Sequence, residues 1–406
     1  MLLSAALPRS AVAIIPVNVS LATVPWGYYG GIARHRNDAN VAMLSKARLV
    51  IIEKWEGPCW ESCLASGPGS PACAASCGVE NAILDTMGRM KTLNPGVATV
   101  VYWNTLLAFP FYSAVGQFAA AGALTIDAQT GRPIQIENDD DMQGIGVYGF
   151  DTAAGVQLYI DTVKNLTATG LVDGFFGDKW GHGAAPNKSA GADPNAWLIC
   201  NKDQCGTVTA AQGQRWNAGK RAALVAATAH VGDGPYYCEG SGGVFEGVSA
   251  NLNGHYINWL LLKSGDPRAM VADVKKHLSK HLYMYMSCTH DQSWTKDPND
   301  PATIASKCSN DTLARFLLVV ETGCVLGTNG WDAAYDRPLG EPLGSAVFTA
   351  ATKTRPATLR RNFTSGTFVL FTYDTSGADG TGVVHWRDHR DAAPLDALPP
   401  PLASLE

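Results

Sequence analysis

The chain has 406 residues, 46% of them hydrophobic and only 17% charged, with 42 glycines and 22 prolines. Disordered and fibrous classes are excluded, because the apolar content is ample for a core and no three-residue glycine period runs through the sequence. A formal net charge of −5 and a pI near 6.0 leave no basic footprint for nucleic acid or anionic lipid, and no apolar run reaches the ~18 residues of a membrane span.

Residues 1–23 read as a signal-like segment or an N-terminal extension, apolar but without a basic residue before the first apolar stretch. Asn-x-Ser/Thr acceptors begin at Asn18, Asn165, Asn187, Asn310 and Asn362, and there are ten cysteines. Together they favour an oxidising compartment, secreted or in the secretory lumen.

Runs rich in Val, Ile, Tyr and Phe predict strands over 24–30 (VPWGYYG) and 48–55 (RLVIIEKW). The loop over 57–78 carries two Cys-x3-Cys pairs, which suit nested bridges Cys59–Cys77 and Cys63–Cys73; a four-thiolate zinc site is the alternative. A helix over 79–93, a strand over 97–104 (VATVVYWN), a helix over 154–169 and a strand over 171–180 (LVDGFFGDKW) follow. Cys200 and Cys205 are spaced to close a small loop. After a helix over 210–230 come strands over 235–239 (PYYCE) and 243–248 (GVFEGV), too close together for a crossover helix between them. A helix over 266–281, a strand over 282–288, a helix over 310–322 and a strand over 324–328 complete the series, with Cys288 and Cys308 as a further pair and Cys238 and Cys324 left to pair across the core.

Strands alternating with helices predict an α/β fold, a (β/α)8 TIM barrel over 24–345 with the Cys-rich insertion at 57–78. Residues 346–390 predict a small C-terminal antiparallel appendage, a hairpin of RRNFTSGTFVLFTY and TGVVHW turned through DTSGADG. The Pro-rich stretch 391–406 predicts a disordered tail.

Barrels of this kind carry their active sites at the C-terminal ends of the strands. Asp178 leaves the fourth strand there, followed by Lys179, Trp180 and His182, and suits a nucleophile or an acid/base. Glu246 interrupts an apolar run and Glu239 ends the strand before it; burying either is costly unless it serves a purpose. Two carboxylates across a sugar ring are the common requirement for glycoside hydrolysis. Tyr28, Tyr29, Trp55, Trp103, Trp180, Trp294 and Trp331 gather at strand ends, where flat faces with polar edges suit sugars. Tyr29, Trp103, Lys179, Trp180 and Trp331 are taken as substrate-binding. Arg34, His35 and Arg36 after the first strand and Glu53 and Lys54 at the end of the second are placed at the mouth. Gly-x-Ser-x-Gly and the phosphate-binding glycine loop are missing from the sequence, and the Asp139–Asp141 run lacks the spaced ligands of an EF-hand. No metal and no cofactor are expected.

GYYGGIARHRN, RLVIIEKW, VDGFFGDKW and GVFEGV resemble segments of glycoside-hydrolase-like barrels related to the alpha-galactosidase and polygalactosaminidase families. WDAAYDRPLGEPLG followed by RRNFTSGTFVLFTY is similar to the closing segment of a hypothetical glycosyl hydrolase family of that kind, in which a PLG-x-PLG turn precedes the hairpin. The resemblance spans roughly residues 24–387 and implies catalytic acids after the fourth strand and on a later one, at Asp178 and Glu246. The insertion at 57–78 and the long loop at 181–210 depart from the pattern. The expectation is a secreted glycoside hydrolase acting on a poly- or oligosaccharide through paired carboxylates. The alternative is a catalytically inactive barrel serving as a carbohydrate-binding or extracellular-matrix glycoprotein.

Overall fold

A computed structural model describes residues 21–31, 35–57, 78–136, 145–189, 193, 195–201, 203–231, 236–238, 254–257, 266–278, 283–287, 308–328, 330–374 and 380–387. Its centre is an eight-stranded sheet in which every described pairing is parallel. The strands are β1 (Trp26–Gly30), β2 (Leu49–Ile52), β3 (Ala98–Tyr102), β4 (Gly174–Gly177), β5 (Tyr236–Cys238), β6 (Gly254–Ile257), β7 (Tyr283–Ser287) and β8 (Cys324–Gly327). Their spatial order is β5-β4-β3-β2-β1-β8-β7-β6, the order of a barrel opened between β5 and β6. Cα atoms of those two outer strands come within 8 Å of each other, although no hydrogen-bonded ladder joins them among the described residues.

Strands β2, β3, β4 and β8 are buried throughout, as LVII, ATVVY, GFFG and CVLG. Parallel strands covered on both faces read as such unbroken apolar runs. The helices that return the chain are α1 (Asp38–Leu44), α2 (Val79–Leu93), α3 (Ser113–Ala120), α4 (Ala153–Thr167), α5 (Ala210–Val231), α6 (Pro267–Leu278) and α7 (Asn310–Val319). Side-chain caps fix several of their starts: Asn37 accepts from Asn40 N, Thr152 from Gly155 N and Ser309 from Thr312 N.

The sixth strand differs from the sequence reading. It is Gly254–Ile257, while residues 243–248 lie outside the described residues. The placement lengthens the connection from β5 beyond the three residues that the sequence reading allowed. The C-terminal sheet also differs, having four antiparallel strands: β9 (Val347–Thr349), β10 (Thr358–Asn362), β11 (Phe368–Tyr373) and β12 (Gly380–His385). The run read as one arm of a hairpin reverses at Ser365-Gly366, where Gly366 takes a φ of 89° and its N–H donates to Phe363 O at 2.9 Å. Buried Arg361 bolts this sheet to the end of α7, donating to Leu318 O at 3.1 Å, Val320 O at 2.5 Å and Glu321 Oε1 at 2.8 Å.

Small antiparallel sheets extend two of the strand exits. One, after β3, joins 107–108, 145–147 and 135–136; the other, after β4, joins 184–186, 196–201 and 204–209. In the latter Cys200 and Cys205 face each other across the ladder and are disulfide-bonded. Cys308 is also disulfide-bonded. Cys324 is free and buried, its thiol pushed up to about 12 by burial, so it has no bond to Cys238. Position explains this: Cys324 opens β8 and Cys238 closes β5, so they sit at opposite ends of strands that are not neighbours. Cys59, Cys63, Cys73, Cys77 and Cys288 lie outside the described residues.

The strand-entry end is tied by Asp173, just before β4. Its Oδ2 accepts from Lys91 Nζ at 2.6 Å, Thr99 N at 2.9 Å and Thr99 Oγ1 at 3.0 Å, joining α2, β3 and β4 at one carboxylate. Breaking a buried ion pair from one side leaves the other charge uncompensated. Asp173→Ala is therefore expected to cost about 3 kcal/mol in chemical denaturation, and a loss below roughly 1 kcal/mol would show the pair to be no more than a surface contact.

Candidate active site

Parallel strands deliver all their C-terminal ends to one rim. Four adjacent strands, β1 to β4, bring Tyr29, Glu53, Tyr102 and Asp178 there, two of them the last or next-to-last residue of a strand and two the first residue beyond one. The ladder continues past β3 and β4: Trp103 N donates to Phe176 O and Thr105 N to Asp178 O, each at 2.9 Å. That extension fixes the backbone of Asp178 before its side chain makes any contact.

Asp178 is 8% exposed, and both its carboxylate oxygens accept hydrogen bonds. Tyr102 Oη donates to Oδ2 at 2.5 Å, Asn104 Nδ2 donates to the same oxygen at 3.2 Å, and Lys179 N donates to Oδ1 at 2.6 Å. Asn104 is itself held, because its Oδ1 accepts from Leu106 N at 2.8 Å and Leu107 N at 2.7 Å. Burial and the nearby charges of Asp178 and Glu53 push the Tyr102 hydroxyl well above its ordinary range, so it remains a donor.

Glu53, 1% exposed, stands beside this pair. It accepts a short hydrogen bond from Tyr29 Oη and lies 3.5 Å from Lys54 Nζ. The Tyr29 ring packs on Phe176 with centroids 5.1 Å apart, and Phe176 stacks on Tyr102 at 5.9 Å. Lys54 places its ammonium 4.5 Å from the ring centres of both Trp55 and Tyr102. Behind Glu53, Arg36 forks onto both oxygens of Glu56 at 2.9 and 3.0 Å, joining the exits of β1 and β2.

Beneath Asp178 the chain turns sharply. Lys179 has a φ of 59°, the only left-handed residue other than glycine among those described. The turn is held by Lys220, fully buried on α5, whose Nζ donates to Lys179 O at 2.9 Å and His182 O at 2.7 Å. Burial lowers the Lys220 pKa well below its ordinary value, partly opposed by the charge of Asp178. Burial also lowers the pKa of His182, as do Lys179 and Lys220, while its Nδ1 lies 3.2 Å from Cys200 O.

Of the residues singled out in the sequence, Asp178, Tyr29 and Lys179 stand together at this rim. Trp180 follows them and is 1% exposed. Trp103 is fully buried, its ring against Tyr112 at 4.7 Å, which makes it part of the packing beside β3. Trp331 lies elsewhere, with Lys46 Nζ 3.7 Å above its ring; Lys46 precedes β2, so this contact belongs to the strand-entry side. Glu239, Glu246, Arg34 and Trp294 lie outside the described residues. The sequence reading did not single out Tyr102, Asn104 and Lys220. A tyrosine and an asparagine two residues apart at the end of an apolar run were the available signal for the first two. For Lys220 it was a charge four residues after Trp216, on the same helix face.

No family model matches the sequence, and neither does any curated protein. Solved structures similar to the chain include a GH31 family sulfoquinovosidase from E. rectale, 13% identical, with a TM-score of 0.46. That match covers 78% of this chain and 44% of the other, so the chain spans less than half the length of that protein. A maltogenic alpha-amylase from Thermotoga neapolitana is 9% identical over 86% of this chain and 85% of its own, with a TM-score of 0.44. An alpha-galactosidase from Thermus thermophilus is 13% identical over 85% and 66%, with a TM-score of 0.41.

His182 gives the loop over the site a defined response to acid. The unfolded chain takes up this proton as pH falls through about 6.5, whereas the folded chain resists until a lower pH. Between those points the unfolded state binds more protons, so stability falls as the pH is lowered across that window, and the penalty is complete below the folded pKa. Urea unfolding at pH 7.5, 6 and 5 should show the wild type losing more stability than His182→Gln. Equal slopes for the two proteins would remove His182 from the acid response.

Proposed function

We propose that this chain is a secreted glycoside hydrolase built on a closed (β/α)8 barrel, cleaving a poly- or oligosaccharide with Asp178 as its nucleophilic or base carboxylate. The observation that carries this reading is the carboxylate of Asp178, held through both oxygens at the exit of β4 with a second buried carboxylate, Glu53, on the other side of Tyr102. A carboxylate whose oxygens both already accept hydrogen bonds is arranged to give electron density to a substrate and not to donate a proton.

In this mechanism Asp178 attacks the anomeric carbon, or draws the proton from a water that does so, while a second carboxyl group protonates the departing oxygen. Glu239 and Glu246, in the connection that leaves β5, are the proposed sources of that proton. Glu53 and Tyr29 are proposed to accept from and donate to sugar hydroxyls, since a hydrogen-bonded carboxylate and phenol at one rim match the mixed donors and acceptors of a sugar edge. Lys179 and Trp180 complete the proposed substrate contacts, with Trp103 supporting them from the β3 side.

Activity should appear when the purified protein is screened against a panel of neutral, amino and acidic polysaccharides with reducing-end detection. Asp178→Asn should then keep the fold, changing stability by about 1 kcal/mol, and lower kcat/KM by roughly 10³-fold or more. An Asn variant with ordinary turnover would remove Asp178 from the mechanism. Sugar binding without turnover by the wild type would favour a binding protein on the same scaffold.

A further inference from the structure

The four described acceptor triplets are not equivalent. Asn165 lies on α4, and its partner hydroxyl is engaged: Thr167 is 7% exposed, its Oγ1 donating to Val163 O and Lys164 O and lying 2.8 Å from His230 Nε2. Asn310 is the first residue of α7, and Thr312 is buried with its Oγ1 2.8 Å from Ser309 Oγ. Asn362 is ladder-paired in β10, its Oδ1 accepts from Arg360 Nε at 3.0 Å, and the middle residue Phe363 is fully buried. In the first two the hydroxyl at the third position is engaged within the fold, and in the third the asparagine is held in the ladder with its Oδ1 bonded to Arg360.

Asn187 differs in that its side chain bonds within its own triplet and lies on a short connection beyond a strand. Asn187-Lys188-Ser189 follows the short strand 184–186, with Lys188 and Ser189 exposed and Asn187 half-buried. The backbone is anchored, since Asn187 N donates to Ala196 O at 2.9 Å. The side chain is bent back on its own triplet, with Oδ1 accepting from Ser189 N at 3.0 Å. Accepting there draws electron density from the carboxamide and loosens the Nδ2 protons. Among the described residues, no hydrogen bond engages Nδ2 or Ser189 Oγ. The same small sheet carries the Cys200–Cys205 bridge, a bond that suits the oxidising compartment in which such transfer takes place.

We propose that Asn187 is the acceptor of an N-linked glycan. The donor class is an oligosaccharide on a polyprenyl pyrophosphate. Nδ2 attacks its anomeric carbon, an N–C bond forms, and the C–O bond to the pyrophosphate breaks with its electron pair leaving on the pyrophosphate. The proton lost from Nδ2 passes to a carboxylate of the transferase. The acceptor assignment rests on the secretory reading of the chain and is independent of the hydrolytic one.

The full chain, led into a eukaryotic secretory pathway by a supplied cleavable leader, is recovered from the secretory fraction. It is then treated with peptide-N-glycosidase in water labelled with heavy oxygen, and its peptides are mapped. Asn187 should be converted to labelled Asp in most molecules, and Asn165 and Asn310 in few or none. Lys188→Pro should abolish conversion while leaving the asparagine in place, and Ser189→Thr should preserve it. An unconverted Asn187, or full conversion in the Lys188→Pro chain, overturns the assignment. The leader makes entry independent of the natural N-terminus, so an empty Asn187 counts against the acceptor alone. The secretory reading is tested apart, by whether the natural N-terminus takes the chain into the same fraction.

Discussion

Every described strand pairing in the central sheet is parallel, and the functional geometry depends on that constraint. Antiparallel neighbours would alternate strand entries and exits along each rim. Parallel ones separate them, so each end can be given a different task. The two ends of β4 show the division. Asp173 at the entry is neutralised by Lys91 and bonded to the backbone of β3, while Asp178 at the exit meets a phenol, an amide and a backbone N–H. The first arrangement ties three elements together. The second holds a carboxylate in one orientation through neutral donors on two neighbouring strand exits.

Holding charge in a buried rim is costly, and the surrounding bonds show how the fold offsets it. An uncompensated buried ion would shift its protonation or destabilise the fold by several kcal/mol. Lys220, whose pKa burial does lower, donates to two carbonyls freed by the turn after β4, which offsets part of that cost. The left-handed Lys179 in that turn carries strain of about 1–3 kcal/mol for a residue with a Cβ, and the ammonium beneath it is one of the contacts that keep it there. Lys54, next to Glu53, lies over aromatic rings, which accept a cation where water is excluded.

Much of the sheet was legible because parallel strands buried on both faces leave unbroken apolar runs such as LVII and ATVVY. The strand Gly254–Ile257 was not, since GHYI carries little strand signal of its own, and local preference cannot show which segment the neighbouring strand selects. The break at Ser365-Gly366 was present as a turn signal but was outweighed by the apolar residues on either side. Asp178 and Glu53 were visible as charges that end apolar runs. Tyr102 was hidden, because a tyrosine closing a strand reads as core, and only the adjacency of β3 and β4 makes it the partner of Asp178. Trp331 shows the converse: closeness in sequence to the exit of β8 does not keep a side chain at that rim when the chain doubles back toward Lys46.

The bonds around Asp178 also bear on what sort of site this is. They include bonds from Tyr102, Asn104 and the backbone of Lys179, and each of these donors is fixed by something other than a ligand: a strand, a pair of backbone N–H groups, and a turn clamped by Lys220. A surface that only collects ligands has no need to hold one carboxylate so firmly, because loose polar groups can adjust to whatever arrives. Chemistry does need it. Charge that must be stabilised as bonds break is met most effectively by groups already in place, which do not have to reorganise at that moment. The rim formed by β1 to β4 is organised in that way by contacts within the fold, and this pre-organisation is what the proposed hydrolytic role of Asp178 would require.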